Sequence, residues 1–359
     1  MTTSLTALAR AEAFCTAYDL RIPILLAPMA GACPASLSIA VASAGGLGAC
    51  GGLLMQPTAI KAWASEVRAG TNGGFQLNLW IPDAPATRDP DAEAAVRRFL
   101  GTWGPDVPEE AANATPPDFA AQCEAMLEAG PSVISSIMGV YPPAFVAAMK
   151  ARGIRWFATV TTVREALEAE AAGADAIVAQ GMEAGGHRGA FDPAKAETAM
   201  VGLFALLPAI ADAIKVPVIA TGGIADARGV AAALTLGASA VQIGTGFLRT
   251  PEAKLSPAWA GAIGRSQPEE TLVTHAFSGR AGRSVATAYA RAANGQDAPA
   301  PAPYPVQRAL TQSMRDAATK AGDIDRMQAW AGQSARLASV RPAGEVTRTL
   351  WDGACDLLR

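Results

Sequence analysis

The amino-acid sequence predicts an α/β fold: a (β/α)8 or TIM barrel with a C-terminal inserted lid region. Eight short apolar segments are each followed by a turn and, in most cases, an alanine-rich helical stretch. Their near-continuous apolar character is typical of parallel strands covered on both faces. The length of 359 residues, 50% of them hydrophobic, accommodates a barrel of about 250 residues with about a hundred left for additions.

The strands and helices alternate in a regular order. The predicted strands are residues 24–28, 47–51, 75–80, 133–139, 155–160, 174–181, 217–223 and 239–245. Between them, Thr162 with Glu165 forms a capping-box pattern, and helix ends are predicted at Gly45, Gly153, Gly173 and Gly237. AAGADAIVAQG and TLGASAVQIGTG resemble each other, as expected of repeated units in a closed barrel.

Two connections between strands are longer than the others. The first, after FQLNLW, is rich in Pro, Asp and Ala and predicts a surface excursion with a short helix around residues 92–100. The second holds EAGGHRG and follows the C-terminal end of the sixth strand, the face on which barrel active sites are built. We predict a barrel over residues 1–250, a lid over 251–325, and a segment over 326–359 whose amphipathic end packs back on the barrel.

Composition restricts the function classes. The formal net charge of -3, with no basic cluster, argues against nucleic acid as a partner and favours a small-molecule substrate. No apolar run reaches the ~18 residues of a membrane span, and Arg10, Glu12 and Asp19 are unlike a signal peptide, so a cytoplasmic location is expected. The five cysteines show no metal-binding spacing and are expected to be reduced, and no metal site is predicted.

Glycine loops follow the seventh and eighth strands, where barrels commonly bind phosphate. Gly222 and Gly223 precede a helix directly, and Gly244, Thr245 and Gly246 end the eighth strand. Tight turns would explain one glycine pair. Two such loops at these two positions favour a phosphate site.

Amide side chains stand at two other strand ends. Asn78 lies near the end of the third strand and Gln180 near the end of the sixth, and APMAG after the first strand gives a floor of small residues. These groups suit a flavin ring, which needs amide-type partners. Hydrogen bonding to neighbouring loops is an equally weighted alternative for both amides.

His187 follows Gly185 and Gly186 in a loop above the barrel mouth, and a neutral imidazole suits proton abstraction near pH 7. The alternative is a loop histidine bonded to a carbonyl.

His275 lacks a comparable glycine frame and is interpreted as structural. Arg280 and Arg283 are interpreted as surface residues, although an anion-steering role stays open, and Glu183 either orients the His187 loop or caps a helix.

Six segments in order carry a family resemblance: IPILLAPMAG, FQLNLW, IVAQGMEAGGHRG, VIATGGIADARGVAAALTLGASAVQIGTGFL, FSGRAGR and WAGQSARLA. Together, from about Arg21 to the C-terminus, they resemble the nitronate monooxygenases, formerly called 2-nitropropane dioxygenases. The resemblance implies non-covalent FMN and His187 as catalytic base. The positions that match the family's cofactor contacts and the glycine loops are combined with the small residues after the first strand. The expected cofactor-binding set is then Ala27, Pro28, Met29, Asn78, Gln180, Gly185, Gly186, Gly222, Gly223, Gln242, Gly244 and Thr245.

The resemblance implies oxidation of alkyl nitronates, or of nitroalkanes after proton removal, by O2 to a carbonyl compound and nitrite. Two departures from the family leave the substrate open. Gly246 stands where relatives often carry arginine. The best-studied branch has further tyrosines and a lysine in its C-terminal part, whereas here Tyr304 is followed by PVQRALTQSMR. One alternative is an FMN-dependent enoyl-ACP reductase-like enzyme using NAD(P)H, and another is a flavin-free barrel for a phosphorylated metabolite. The oligomeric state stays open, with a homodimer as one expectation.

Overall fold

The computed structural model describes residues 6–359, so the first five residues of the predicted barrel region lie outside the described part. The strands are β1 (Ile24–Leu26), β2 (Gly48–Gly51), β3 (Phe75–Trp80), β4 (Val133–Ile137), β5 (Arg155–Val160), β6 (Ala176–Gln180), β7 (Gly186–His187), β8 (Val218–Thr221), β9 (Ala240–Ile243), β10 (Thr271–Thr274) and β11 (Gly282–Val285). The eight predicted strands are confirmed as β1–β6, β8 and β9, which are shorter than expected at several ends.

These eight strands form one parallel sheet in the order β1-β9-β8-β6-β5-β4-β3-β2. A parallel bridge between Leu25 and Leu47 joins its two edges, where the amide of Leu26 donates to the carbonyl of Leu47 at 2.9 Å. The sheet is therefore closed, and the predicted TIM barrel is confirmed.

Helices cover the outside of the barrel and extend beyond it. They are α1 (Ala7–Ala17), α2 (Ala35–Ala44), α3 (Pro57–Gly70), α4 (Pro90–Gly101), α5 (Phe119–Ala129), α6 (Pro143–Ala151), α7 (Val163–Ala171), α8 (Leu203–Ala213), α9 (Ala227–Thr235), α10 (Pro257–Arg265), α11 (Ala288–Ala293), α12 (Val306–Leu310), α13 (Gln312–Ala321) and α14 (Ala343–Leu358). Six short 3-10 helices are described as well, at Glu109–Asn113, Pro193–Lys195, Thr245–Phe247, Pro251–Ala253, Pro268–Glu270 and Ala335–Leu337.

Helix boundaries follow the local signals. The Thr162 and Glu165 capping box is present at the start of α7, and Gly45 ends α2 in the left-handed conformation. The short helix expected in the first long connection is α4. The amphipathic C-terminal stretch forms α14. This helix packs against α2 and α9 through a buried face that includes Val346 and Leu350.

The region after β9 is attached to the barrel by a second sheet. Strand β11 pairs antiparallel with β10 on one side and with β7 on the other, so that Gly282 lies opposite His187. Part of the predicted lid therefore runs directly beside the His187 loop.

Within residues 6–359, no helix is both long and apolar enough to cross a membrane. All five cysteines are free thiols, as expected.

Candidate active site

Side-chain alternation along the barrel strands puts apolar groups at the bottom of the barrel interior and polar groups at its top. Ala176 and Val178 belong to the interior cluster, whereas Ile177 and Ala179 pack in the layer beneath the helices. Gln180 continues the inward-facing set two residues later, because successive side chains of a strand point to opposite faces. The same step leads from Phe157 to Thr159 and from Ile219 to Thr221, and all three polar residues line one cavity.

This cavity has a volume of about 480 Å³ at the C-terminal ends of the strands. Every residue of the expected cofactor-binding set lines it, and so does His187: Ala27, Pro28, Met29, Asn78, Gln180, Gly185, Gly186, Gly222, Gly223, Gln242, Gly244 and Thr245. The fold thus brings together residues that are distributed over more than half of the chain.

The amide side chains are held by a network of buried hydrogen bonds. Gln76 donates through Nε2 to Oε1 of Gln242 at 3.0 Å and to the carbonyl of Leu26 at 3.1 Å. Asn78 donates to Oγ of Ser135 at 3.0 Å. Because Oε1 of Gln242 already accepts a bond, its amino group is the part of this side chain left for a ligand.

Gln180 fixes the loop that carries His187. Its Nε2 donates to the carbonyl of His187 at 3.1 Å, and its Oε1 accepts the amide of Gly189 at 2.8 Å. Nη1 of Arg188 donates to the backbone carbonyl of Gln180 at 2.8 Å. The loop-bonding interpretation of Gln180 is therefore observed, and it makes the side chain a positioning group for His187.

The half-buried imidazole of His187 has three close neighbours. Its Nε2 lies 2.7 Å from Oγ of Ser278, which is fully buried. The rings of Trp80 and Trp330 pack edge-on at centroid distances of 4.6 and 4.8 Å. These contacts restrict the ring to one orientation at the cavity wall.

Burial lowers the pKa of His187 from 6.5 to about 3, and the positive charges of Arg308, Arg280 and His275 act in the same direction. The imidazole is neutral at pH 7 and has a lone pair on one ring nitrogen. It is therefore in the protonation state that proton abstraction requires.

The glycine loops leave backbone N–H groups open to the cavity. Gly222 and Gly223 have backbone φ values of +108° and +71°, which residues other than glycine rarely adopt. Within residues 6–359, the amides of these two glycines have no hydrogen-bond acceptor in the protein. An anion such as a phosphate would satisfy them.

Two segments beyond β9 close the other side of the cavity. Residues 253–259 and 327–334 both contribute lining residues, among them Lys254, Ser256, Trp330 and Ser334. The amide of Gly332 donates to Oγ1 of Thr245 at 3.0 Å, and Gly185 packs so closely on Gly332 that an added Cβ would overlap its backbone. The C-terminal part of the chain is therefore built into the site.

Several cavity residues carry no clear signal in the sequence. Trp80 and Trp330 fall within FQLNLW and WAGQSARLA, but tryptophan at either place is most simply interpreted as core. Arg308 and Arg315 come from the PVQRALTQSMR stretch, where the chain departs from the family. Only the folded chain identifies all four as residues of the cavity lining.

The surface interpretation of Arg280 and Arg283 is wrong, because both are buried. Arg280 donates to Oδ1 of Asp83 at 3.0 Å, and Arg283 donates to the carbonyl of Met182 and to Oγ1 of Thr271, each at 3.0 Å. Partners from distant segments make this burial tolerable.

Glu183 caps α8 by accepting the amide of Leu203 at 2.9 Å, which is one of its two expected roles. His275 lies outside the cavity lining, with Nδ1 3.2 Å from the carbonyl of Gly279. In the described part of the chain, no group of three or more His, Cys, Asp or Glu residues could hold a metal ion.

Comparisons with known proteins agree on one family. The family model described as nitronate monooxygenase matches residues 14–353. The chain is similar to a nitronate monooxygenase from Paraburkholderia phytofirmans, with 38% identity over 91% of each protein. It is also similar to a probable nitronate monooxygenase from Staphylococcus aureus, with 34% identity over 91% of this chain and 93% of that protein.

Solved structures give two further similarities. A nitroalkane oxidase from Streptomyces ansochromogenes superposes with a TM-score of 0.87 at 33% identity, covering 95% of this chain and 98% of that one. FabK from Thermotoga maritima superposes with a TM-score of 0.75 at 27% identity, covering 96% of each chain.

Proposed function

The chain belongs to the nitronate monooxygenase family, and we propose that it uses FMN to oxidise alkyl nitronates with O2 to a carbonyl compound and nitrite. The observation that carries the proposal is the neutral His187, held at the wall of a cavity that also contains two glycine loops and a set of buried amides.

The cavity suits FMN in size and in chemistry. Its volume of about 480 Å³ falls within the range of about 300–1,000 Å³ that is typical of cofactor sites. A side chain added at Gly186, whose φ is +75°, would meet no protein atom within 4 Å, so a ligand can approach the backbone there. The open amides of Gly222 and Gly223 are unsatisfied donors that a phosphate would complete.

We assign the phosphate to Gly222, Gly223, Gly244 and Thr245, where two strand ends meet. The ring system would rest on residues 27–29, with Asn78, Gln180 and Gln242 as its polar neighbours. Bound FMN would supply an electron acceptor that O2 reoxidises.

His187 is proposed to take the α-proton of a neutral nitroalkane. Its Nε2 is engaged by Ser278, so Nδ1 is the atom assigned to accept the proton. Proton transfer yields an imidazolium and a nitronate anion side by side, and their mutual attraction offsets the low basicity of the buried ring. A preformed nitronate needs no such step, so His187 then serves only to bind and orient it.

The test is the flavin content and the reaction products of the purified protein. We expect FMN on extraction and nitrite release with O2 consumption when propyl 1-nitronate is added. A colourless protein that binds no FMN after reconstitution would contradict the cofactor assignment. FMN without nitrite release would contradict the reaction.

The enoyl-ACP reductase-like alternative is the second candidate function, and the similarity to FabK is weaker than that to the nitroalkane oxidase. Mixing the protein anaerobically with NADH and a crotonyl thioester separates the two functions. Flavin bleaching with reduction of the thioester would support the reductase, whereas slow NADH oxidation beside fast nitrite release would support nitronate oxidation.

A further inference from the structure

A largely buried ion pair joins the two segments that flank the imidazole of His187. Nη2 of Arg280 donates to Oδ1 of Asp83 at 3.0 Å, and the side chain of Arg280 is only 5% exposed. Among the residues that the structure describes, this carboxylate is the only acceptor of the guanidinium, whose Nη1 is buried without a partner. Separating the pair would leave an uncompensated charge in the interior, so the two side chains hold each other in place.

The two ends of this ion pair lie on different elements, 197 residues apart in the chain. Asp83 follows shortly after Trp80, the last residue of β3, and Arg280 lies just before β11. Each segment also supplies a neighbour of the proposed base. Trp80 packs edge-on against the ring of His187, and Oγ of Ser278 lies 2.7 Å from Nε2. The ion pair therefore ties together the two walls between which the imidazole is held.

The backbone of Arg280 fixes the hydroxyl of Ser278. The carbonyl of Arg280 accepts from this hydroxyl and its amide donates to the same oxygen, each at 3.3 Å. A hydroxyl has one proton to donate, so a hydroxyl that donates to this carbonyl accepts from Nε2–H of His187. The proton then lies on Nε2 and the lone pair on Nδ1, the atom assigned to take the proton from the substrate. The place of Arg280 thus bears on the tautomer of His187.

We propose that Asp83 and Arg280 are positioning residues for the proposed base. Their ion pair holds the backbone that orients the hydroxyl of Ser278, which in turn keeps Nδ1 of His187 free to accept a proton. Neither side chain of the pair lines the cavity, so neither contacts a ligand bound there. This inference rests on the proposed function, in which a neutral nitroalkane loses its α-proton to the imidazole.

Substitutions at both ends of the ion pair test this role. Arg280→Gln removes the buried cation, and the carboxylate of Asp83 that remains is partly exposed. We expect kcat/KM for 1-nitropropane to fall by about fivefold, because the hydrogen bond that orients the base is loosened. Oxidation of propyl 1-nitronate should change by less than about twofold, since a preformed nitronate needs no base. Asp83→Asn should give the same pattern, and Asp83→Glu, which keeps the ion pair, should recover most of the wild-type rate.

A double-variant cycle with Ser278→Ala separates positioning from general destabilisation. If Arg280 acts through Ser278, Arg280→Gln should cause no further loss of kcat/KM in the Ser278→Ala background. Asp323→Asn is the matched control: it removes an ion pair with Arg326 outside the cavity lining, and its carboxylate is 31% exposed against 29% for Asp83. It should leave both substrates unaffected. Independent losses in Arg280→Gln and Ser278→Ala, or equal losses for nitroalkane and nitronate, would overturn the role.

The tautomer of His187 is measurable without turnover, which keeps this inference separate from the proposed reaction. The chain has two histidines, so the signals lost in His187→Asn identify this ring in protein labelled with ¹⁵N at histidine. Long-range ¹H–¹⁵N correlation spectra of the wild type at pH 7 should show the proton on Nε2, and Arg280→Gln should show a mixture of tautomers. If the wild type oxidises neither substrate but the spectra differ in this way, the proposed function fails and the positioning role stands. Identical spectra would refute the role whatever the activity.

Discussion

Oγ of Ser278 lies 2.7 Å from Nε2 of His187, although 91 residues separate them in the chain. Ser278 has no exposed surface, and it also exchanges hydrogen bonds with the backbone of Arg280 at 3.3 Å. Because the hydroxyl of Ser278 donates to the carbonyl of Arg280, it can accept from Nε2–H of His187, which leaves the lone pair on Nδ1. The predicted lid region therefore supplies a hydrogen-bond partner to the proposed base.

Replacing Ser278 with Ala should reduce kcat/KM for a neutral nitroalkane by about tenfold, since one hydrogen bond that orients the proposed base is lost. Oxidation of a preformed alkyl nitronate should change by less than about threefold. Stopped-flow flavin reduction with 1-nitropropane and its nitronate measures both. Ser313→Ala serves as control, because Oγ of Ser313 is buried without a hydrogen-bond partner in the described chain. Similar effects of the two serine substitutions would argue against the positioning role.

His187→Asn should leave FMN bound and slow neutral nitroalkanes by about 100-fold or more, as expected for loss of a general base. Preformed nitronates should be affected far less, because they need no proton removed. Steady-state O2 consumption with matched nitroalkane and nitronate pairs is the measurement. His275→Asn is the natural control, since the only other histidine lies outside the cavity lining. Equal losses for both substrate types would be incompatible with the base assignment.

The low pKa of His187 has a consequence for stability. The unfolded chain takes up a proton near pH 6.5, whereas folded His187 does so only near about pH 3, so the unfolded state binds more protons between these values. Stability should therefore fall with decreasing pH through this window. Urea titrations at pH 6.5 and 4.5 should show wild type losing stability relative to His187→Asn, by at most about 1.4 kcal/mol per pH unit. A difference that does not change with pH would show that His187 titrates normally in the folded protein.

Gly223→Ala tests the phosphate assignment against backbone strain. Gly223 and Gly153 have nearly the same φ, +71° and +70°, so alanine should cost each about 1 kcal/mol of stability through strain. Only Gly223 lines the cavity, and an added Cβ there would lie 3.1 Å from Cβ of Glu183. FMN titration of the apoproteins by fluorescence should show weaker binding for Gly223→Ala and unchanged binding for Gly153→Ala. Equal affinity in both variants would remove Gly223 from the phosphate site.

The sequence alone determined the barrel and the order of its strands, although several strands end earlier than predicted. Apolar runs such as the one ending at Gln180 mark buried parallel strands, and period-two alternation then orients Gln180 inward above Val178. Glycine loops after consecutive strands must meet, because parallel strands end at the same edge. The cavity lining expected from the sequence, from Ala27 to Thr245, rested on these local patterns together with the family resemblance, which supplied Gln242.

The tertiary structure alone decided what surrounds His187. Arg280 and Arg283 are buried because Asp83, Met182 and Thr271 supply partners from far along the chain, which no local pattern reveals. Ser278 and Arg308 belong to the predicted lid, which the pairing of β11 with β7 attaches beside the His187 loop, and Trp330 is held by a bridge to Ser284 on β11. Strand pairing and lid packing depend on long-range contacts. The groups that orient the proposed base therefore become visible only in the folded chain.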